Sequence, residues 1–393
     1  MTNSIWFSTL NDSERRELDS GPNDPVLSTP DILVIGGGLI GLAAAYFASL
    51  RGAKVQLIES GRFAGGASGA SAGGVFPNVD ALRYPAAYQA LAHLSRDLWG
   101  RLSVRPGFEF DWRVAGVLLV DSTHLQPSAT EFVARQLEQG YSAQAVDGGQ
   151  IALLEPHLKP GIASGAYYPS EAHLHPVKAA LSLARAARRL DCRLTTGIHV
   201  LSAEIANHRL TAVQTSAGRI SASHVIVATG WDASWLADLV PKPLPLHPVS
   251  GQLLASDPLP QLLGRPVLGQ YLIFQLRSGE IVTGGDEVPG TRAAPDPRIT
   301  AEIIAAACEF IPALRDVAFP HAWCGLRPAT PDGLPIIDRL PVADNLYLAS
   351  GHFKKGVLLA PATGKLLTDW ILDGTRPDEL AFFSLARFLS VAR

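Results

Sequence analysis

The chain has 393 residues, 47% hydrophobic and 18% charged, with a net charge of −3; these describe a well-buried globular protein of about two domains, neither disordered nor built to coat nucleic acid. Three cysteines, Cys192, Cys308 and Cys324, are too few and too scattered for a disulfide framework and favour a reducing, cytoplasmic setting. No apolar run reaches membrane-spanning length and the first thirty residues lack a signal-peptide core, so neither insertion nor export is expected.

Residues 1–30 read as a polar leader with a short helix around 12–18. Its apolar island, Ile5-Trp6-Phe7, is expected to dock on the protein or fray, with contact to a bilayer surface as the other reading. Asp31 to Tyr46 then reads as a buried strand, a glycine turn and a helix, and Lys54 to Glu59 as a second buried strand ending in an acid. A dinucleotide site needs this layout: Gly36 for the tight turn, Gly38 for backbone approach to phosphate, Gly41 for helix–strand packing. Leu39 and Ile40 open the helix, whose free N–H groups and partial positive charge suit a pyrophosphate. Glu59 follows Gly36 by about 23 residues, near the offset of a ribose-binding carboxylate.

The loop Gly61 to Gly74 is made almost entirely of small residues and separates FAD from NAD as the ligand. Ser68, Ser71, Ala72, Gly73 and Gly74 let backbone pass close to a flat ring, and the two hydroxyls can donate to phosphate or ring oxygens. A flexible glycine–serine linker is the plainer alternative.

Further along, 86–102 reads as a helix and 108–120 as an antiparallel hairpin around Ala115-Gly116. Helices are expected at 130–139 and 177–190, a strand at 164–168, and short strands from Cys192 onward that end in the buried run Val225 to Ala228, returning to the nucleotide sheet. Thr229 and Gly230 follow that run. Strands at 251–254, 271–275 and 280–283 suggest a second, antiparallel sheet, with a helix at 300–310 behind it. Near the end, Leu346 to Ala349 turns through Gly351, His352, Phe353, Lys354, Lys355 and Gly356 into an apolar helix that begins with Val357 and Leu358 and contains Pro361. This places a second helix N-terminus, flanked by two lysines, where an anion can sit.

Taken together these segments resemble the amino-acid oxidase superfamily of FAD enzymes, and within it the glycine oxidases of thiamine biosynthesis. The resemblance rests on Gly36 to Gly41 with Glu59, the loop 66–74, Val225 to Gly230, Pro248 to Gln252, Trp323 to Gly333 and Gly351 to Gly364. The stretch Arg83 to His93 is also similar to the flavin subunit of hydrogen cyanide synthase.

It implies a mixed α/β fold: a Rossmann-like FAD-binding domain drawn from 31–105, 172–240 and 322–385, with an antiparallel-sheet substrate domain inserted as 106–171 and 241–321. FAD would be bound without a covalent link, because sarcosine oxidases, similar flavoenzymes, attach flavin at the position that is Gly325 here, one residue after Cys324. Arg327 sits at the family's carboxylate clamp, a task suited to a planar two-pronged donor. Tyr271 matches a tyrosine donating to the same carboxylate, and Val200 a backbone contact to adenine.

Where the family commonly has His-Phe-Arg-Asn-Gly, this chain has His352-Phe-Lys-Lys-Gly356; Lys354 keeps the charge and loses the fork, while Lys355 adds a cation near the flavin. The implied chemistry is oxidation of glycine or a similar small amino acid, with oxygen as acceptor; a quinone or partner subunit is the alternative acceptor, and a flavin-binding module without turnover a third reading. No general base is demanded. His173 and His175 lack clustered partners for a metal, and a homo-oligomer is compatible with the sequence.

Overall fold

The computed structural model describes residues 4–120, 125–126, 128–236, 239–240 and 242–389. The leader's first three residues and the expected domain boundary at residue 241 lie outside them. Helix α1 (Ile5–Ser8) and helix α2 (Asp12–Ser20) come first. They precede strand β1 (Ile32–Ile35), helix α3 (Leu39–Leu50) and strand β2 (Val55–Ile58). All residues of β1 and β2 are buried, the pattern of parallel strands covered on both faces. In register, β1 lies between β2 and the strand His224–Val227, and the last runs parallel to Leu346–Ser350. With Arg193–Thr195 outside β2 and Ile336–Arg339 antiparallel at the other edge, these strands make a six-stranded sheet.

One face of this sheet is covered by α3, Ala86–Ser103, Pro176–Arg188 and the C-terminal helix Gly356–Asp373. The other face packs on a three-stranded sheet of Val200–Ala206, Arg209–Thr215 and Gly218–Ile220. Pro361 is tolerated inside the C-terminal helix, where Ser95 Oγ accepts from Ala362 N at 3.1 Å.

A second, nine-stranded sheet is built on the long strand His247–Pro258, antiparallel to both Glu280–Gly284 and His321–Ala329. The segment 321–329 thus belongs to this sheet, although sequence reasoning begins the cofactor half at 322. The hairpin expected at 108–120 does not form. Arg113–Val114 pairs with Ala172–His173, whereas Val117–Leu119 pairs with Ser164–Tyr168 and, in parallel, with Val267–Leu268. Gly116, at φ 72°, turns the chain between two different sheets instead of folding it back on itself. Alternation records which face is buried and carries no information about the partner strand.

The leader is not a loose tail. Ile5, Trp6, Phe7, Leu10 and Leu18 are buried, and α2 carries a capping box in which Asn11 and Glu14 satisfy each other's backbone. Its Glu17 takes two hydrogen bonds from Arg185, at 2.8 and 2.6 Å.

Candidate functional site: a cavity between the two sheets

A cavity of about 700 Å³ opens between the six- and nine-stranded sheets. One end is the β1–α3 turn. Gly36 sits at φ 114°, and a Cβ there would meet the Ala228 carbonyl at 2.5 Å; one on Gly41 would meet Gly36 O at 2.0 Å. Neither position admits a side chain. Gly36, Gly38 and Ile40 line the wall, while Leu39 and Gly41 face away from it and Leu39 is buried in the core. Glu59 lines the same end, held by Gly37 N at 2.6 Å and Gly61 N at 2.7 Å. These bonds point a carboxylate where a ribose hydroxyl is expected. Val200, Thr229 and Gly230 complete this region, and the buried Thr229 hydroxyl has no hydrogen-bond partner there.

Ser68, Ser71, Ala72, Gly73 and Gly74 form the middle of the wall. The two hydroxyls are engaged differently from the sequence expectation. Ser68 Oγ accepts from Leu39 N at 3.0 Å, capping α3, and Ser71 Oγ donates to Ser68 O at 2.8 Å. Ser71 is thus spent within its own loop, and only Ser68 keeps an O–H to offer.

The far end is the charged one. Arg327 and Gly325 come from strand His321–Ala329, and Tyr271 immediately precedes strand Leu272–Gln275. Arg327 Nη1 donates to Asp286 O at 2.8 Å and Ser250 O at 3.3 Å. Gly251 makes room for it, since a Cβ there would lie 2.1 Å from Nη2. The two acids whose charges act on Arg327 are already occupied: Asp286 binds Arg292 at 2.5 Å and Glu287 binds Lys354 at 2.7 Å. Burial pulls the Arg327 pKa down, the mark of a desolvated cation short of counter-charge. Burial likewise raises the Tyr271 phenol, with Glu302 and Asp286 adding to it.

His352, Phe353, Lys354, Lys355, Gly356 and Val357 also line the cavity; Leu358 does not and packs inside the C-terminal helix. Phe353 adopts φ 46°, a left-handed conformation rare for an aromatic residue and typical of a constrained site. His352 bonds Thr363 Oγ1 at 3.1 Å, and burial pushes its pKa down to about 3, so it is neutral. Lys354 is spent on Glu287 at the partly exposed rim. Lys355, half-buried, pairs with Asp80 at 2.6 Å. Burial would raise the Asp80 carboxyl, but Lys355 outweighs it and holds the pKa at about 2. Deeper still, Glu171 is raised to about 7 by burial, partly offset by hydrogen bonds from Asn78.

Sequence reasoning missed Asp80, Glu287 and the Asp286–Arg292 pair. Asp80 and Glu287 act through partners distant in the chain, and no local spacing signals them. His173 lies half-buried beside Phe274 and outside the cavity wall. No group of three or more metal-binding side chains exists among the described residues.

These buried histidines have a consequence for stability. Burial lowers His173 to about 4, and His175 and His352 to about 3, from 6.5. Their stability contribution is present above pH 6.5 and is lost as pH falls, because the unfolded chain then binds protons that the fold refuses. Glu171 opposes them between 4.5 and about 7, since there the fold holds a proton that the unfolded chain releases. About two net protons remain, so unfolding free energy should fall by ~3 kcal/mol per pH unit between pH 6 and 5. Denaturant melts across that range check it; a flat profile would contradict the burial of these rings.

The walls fit FAD. A glycine turn closes on a helix N-terminus, a backbone-held carboxylate and an unpartnered buried hydroxyl lie at one end, and cations lie at the other. Comparison with known proteins agrees. The family described as DAO: FAD dependent oxidoreductase matches residues 31–370. A bifunctional protein ThiO/ThiG of Synechocystis is 31% identical over 375 residues, covering 92% of this chain and 55% of its own length. The chain thus spans about half the length of the first such relatives. A glycine oxidase of Pseudomonas putida is 30% identical over 88% of this chain and 95% of its own. The crystal structure of a glycine oxidase from Geobacillus kaustophilus superposes with a TM-score of 0.83 at 25% identity, covering 92% and 99% of the two chains.

Proposed function

The chain belongs to the DAO family of FAD-dependent oxidoreductases, and we propose that it oxidises glycine or a similarly small amino acid to the imine. Water then hydrolyses the imine to the 2-oxo acid and ammonia, and oxygen is reduced to hydrogen peroxide. The observation that carries this reading is Arg327: a desolvated guanidinium in the cavity wall whose neighbouring acids are held by other cations. Such a group has most to gain from a ligand carboxylate, which it can grip in two-pronged fashion.

FAD would be held by the Gly36–Gly41 turn, Glu59, the loop 66–74, Thr229, Gly230 and the segment 352–357. Its bound ring would supply the acceptor for the hydride leaving the substrate Cα. The chain's residues do the rest. Arg327 and Tyr271 fix the carboxylate, and Lys355, paired with Asp80, forms part of the cavity wall. The cofactor is bound without a covalent link in this reading. The wall position is Gly325, where an added Cβ would lie 2.5 Å from Ala70 Cβ, and the neighbouring Cys324 thiol is buried with its pKa raised by that burial.

No helix among the described residues is long and apolar enough to cross a membrane. Three free cysteines accord with a cytoplasmic protein. The test is turnover of glycine, sarcosine, proline and small D-amino acids, followed as peroxide under air and as reduction of a quinone analogue under nitrogen. The proposal expects peroxide from one or more of these amines. Turnover with the quinone alone would replace oxygen by a carrier, and no turnover of any would contradict an amine oxidase.

A further inference from the structure

Residues 4–10 precede the stretch matched by the family, yet they sit directly behind the cofactor-facing loop. That loop has almost no side chains with which to hold its own shape. Instead, three successive carbonyls on it are each taken by a side chain from elsewhere. Ser4 Oγ donates to Gly69 O at 2.6 Å, Trp323 Nε1 to Ala70 O at 3.0 Å, and Trp6 Nε1 to Ser71 O at 2.7 Å. Two of the three donors belong to the N-terminal segment. The edge of the Phe7 ring lies behind Gly69, where a Cβ would be 2.8 Å from Cζ, and the Arg62 guanidinium covers the ring at 3.7 Å.

The segment is itself anchored. Trp6 packs on His175, with ring centroids 4.8 Å apart, and stacks at 6.2 Å on Phe274, whose strand also supplies Leu272 to the cavity wall. Thr9 Oγ1 bonds His175 Nε2 at 3.1 Å, while His175 Nδ1 accepts from Lys178 N and caps the helix Pro176–Arg188. One tryptophan therefore joins the cofactor loop, a helix N-terminus and the substrate-side sheet.

We propose that residues 4–10 form a strap that holds the loop 66–74 in its FAD-binding shape, with Ser4 and Trp6 as positioning residues. The inference rests on FAD as the occupant of the cavity. Without the strap, FAD must order a small-residue loop as it binds, and that ordering lowers affinity. Coupling between two binding events is reciprocal, so FAD must also tighten the strap.

The first test is hydrogen exchange of the full chain with and without FAD. Amides of both 4–10 and 66–74 should slow when FAD is added; a strap indifferent to FAD overturns the proposal. The second is flavin-fluorescence titration of apoprotein variants. Trp6→Ala should raise the Kd for FAD by about 5- to 150-fold, the usual range of such coupling. Ser4→Ala, which removes one hydrogen bond with little risk to folding, should raise it by about two- to tenfold. Trp6→Phe, keeping a ring without the N–H, should fall between wild type and Trp6→Ala. Variants that melt earlier yet bind FAD as tightly as wild type would make the segment merely structural and overturn the strap. A wild-type protein that binds no FAD would overturn the cofactor assignment itself, a distinguishable result.

Discussion

Arg327→Ala should leave the protein yellow and raise the KM for its amino-acid substrate by about 10- to 150-fold, the equivalent of ~1.5–3 kcal/mol for a hydrogen-bonded charge. The expectation follows from what the guanidinium touches. Its contacts with protein are the carbonyls of Asp286 and Ser250, so its removal leaves no buried carboxylate without a partner: Asp286 keeps Arg292 and Glu287 keeps Lys354. Folding and flavin content should therefore survive, and the loss should fall on substrate. Arg327→Lys should recover part of the affinity, since charge is kept and the fork is lost. Steady-state kinetics beside flavin absorbance separate the outcomes. Loss of flavin, with KM unchanged in the fraction that keeps it, would make Arg327 a cofactor or folding residue.

The second large effect is expected at Lys355. Lys355→Met removes the nearest cation from the half-buried Asp80 carboxylate and leaves Arg83 at 3.7 Å. Deleting one member of a fully buried pair costs about 3–5 kcal/mol; with this pair half-buried and Arg83 still near, the loss should fall at the low end of that range or below it. The folded pKa of Asp80, held at about 2 by Lys355, should then rise, since burial alone pushes it up. A carboxyl with a raised folded pKa prefers to be protonated, so the destabilisation should shrink as pH falls. Lys355→Met combined with Asp80→Asn should recover most of the loss. Denaturant melts at neutral and acid pH check this. A double variant as unstable as the single one would mean that Lys355 matters through packing alone.

The parts of this protein that are legible in its sequence are those in which local backbone does the work. Gly36, Gly38 and Gly41 constrain a turn through their own geometry, and Glu59 is placed by a strand of definite length. The turn Gly351–Gly356 and its helix are legible for the same reason. What escapes is set by contacts between distant segments. Asp80 becomes part of the charged wall because Lys355, 275 residues away, folds against it. Glu287 matters because Lys354 engages it, so that it is not an ion-pair partner of Arg327. The same limit explains residues 108–120, where alternation records burial and Gly116 sends the two halves to different sheets. In the leader, docking of Ile5-Trp6-Phe7 is legible from its apolar run, whereas the surfaces it docks on, Gly69, Ser71 and His175, are not. Ser68 and Ser71 were legible as wall residues. Their hydroxyl partners, Leu39 N and Ser68 O, depend on how the loop closes.

In the proposed reading Arg327, bonded within the protein to two backbone carbonyls and no carboxylate, offers its guanidinium to a carboxylate lying against the cofactor. The most direct test is a crystal structure of the FAD-loaded protein soaked with a small carboxylate that cannot be oxidised, such as acetate. The carboxylate should lie within hydrogen-bond distance of both terminal nitrogens of Arg327, on the cavity side of Gly251. A carboxylate bound instead at Lys354, with the Arg327 guanidinium turned wholly to the Asp286 and Ser250 carbonyls, would contradict it.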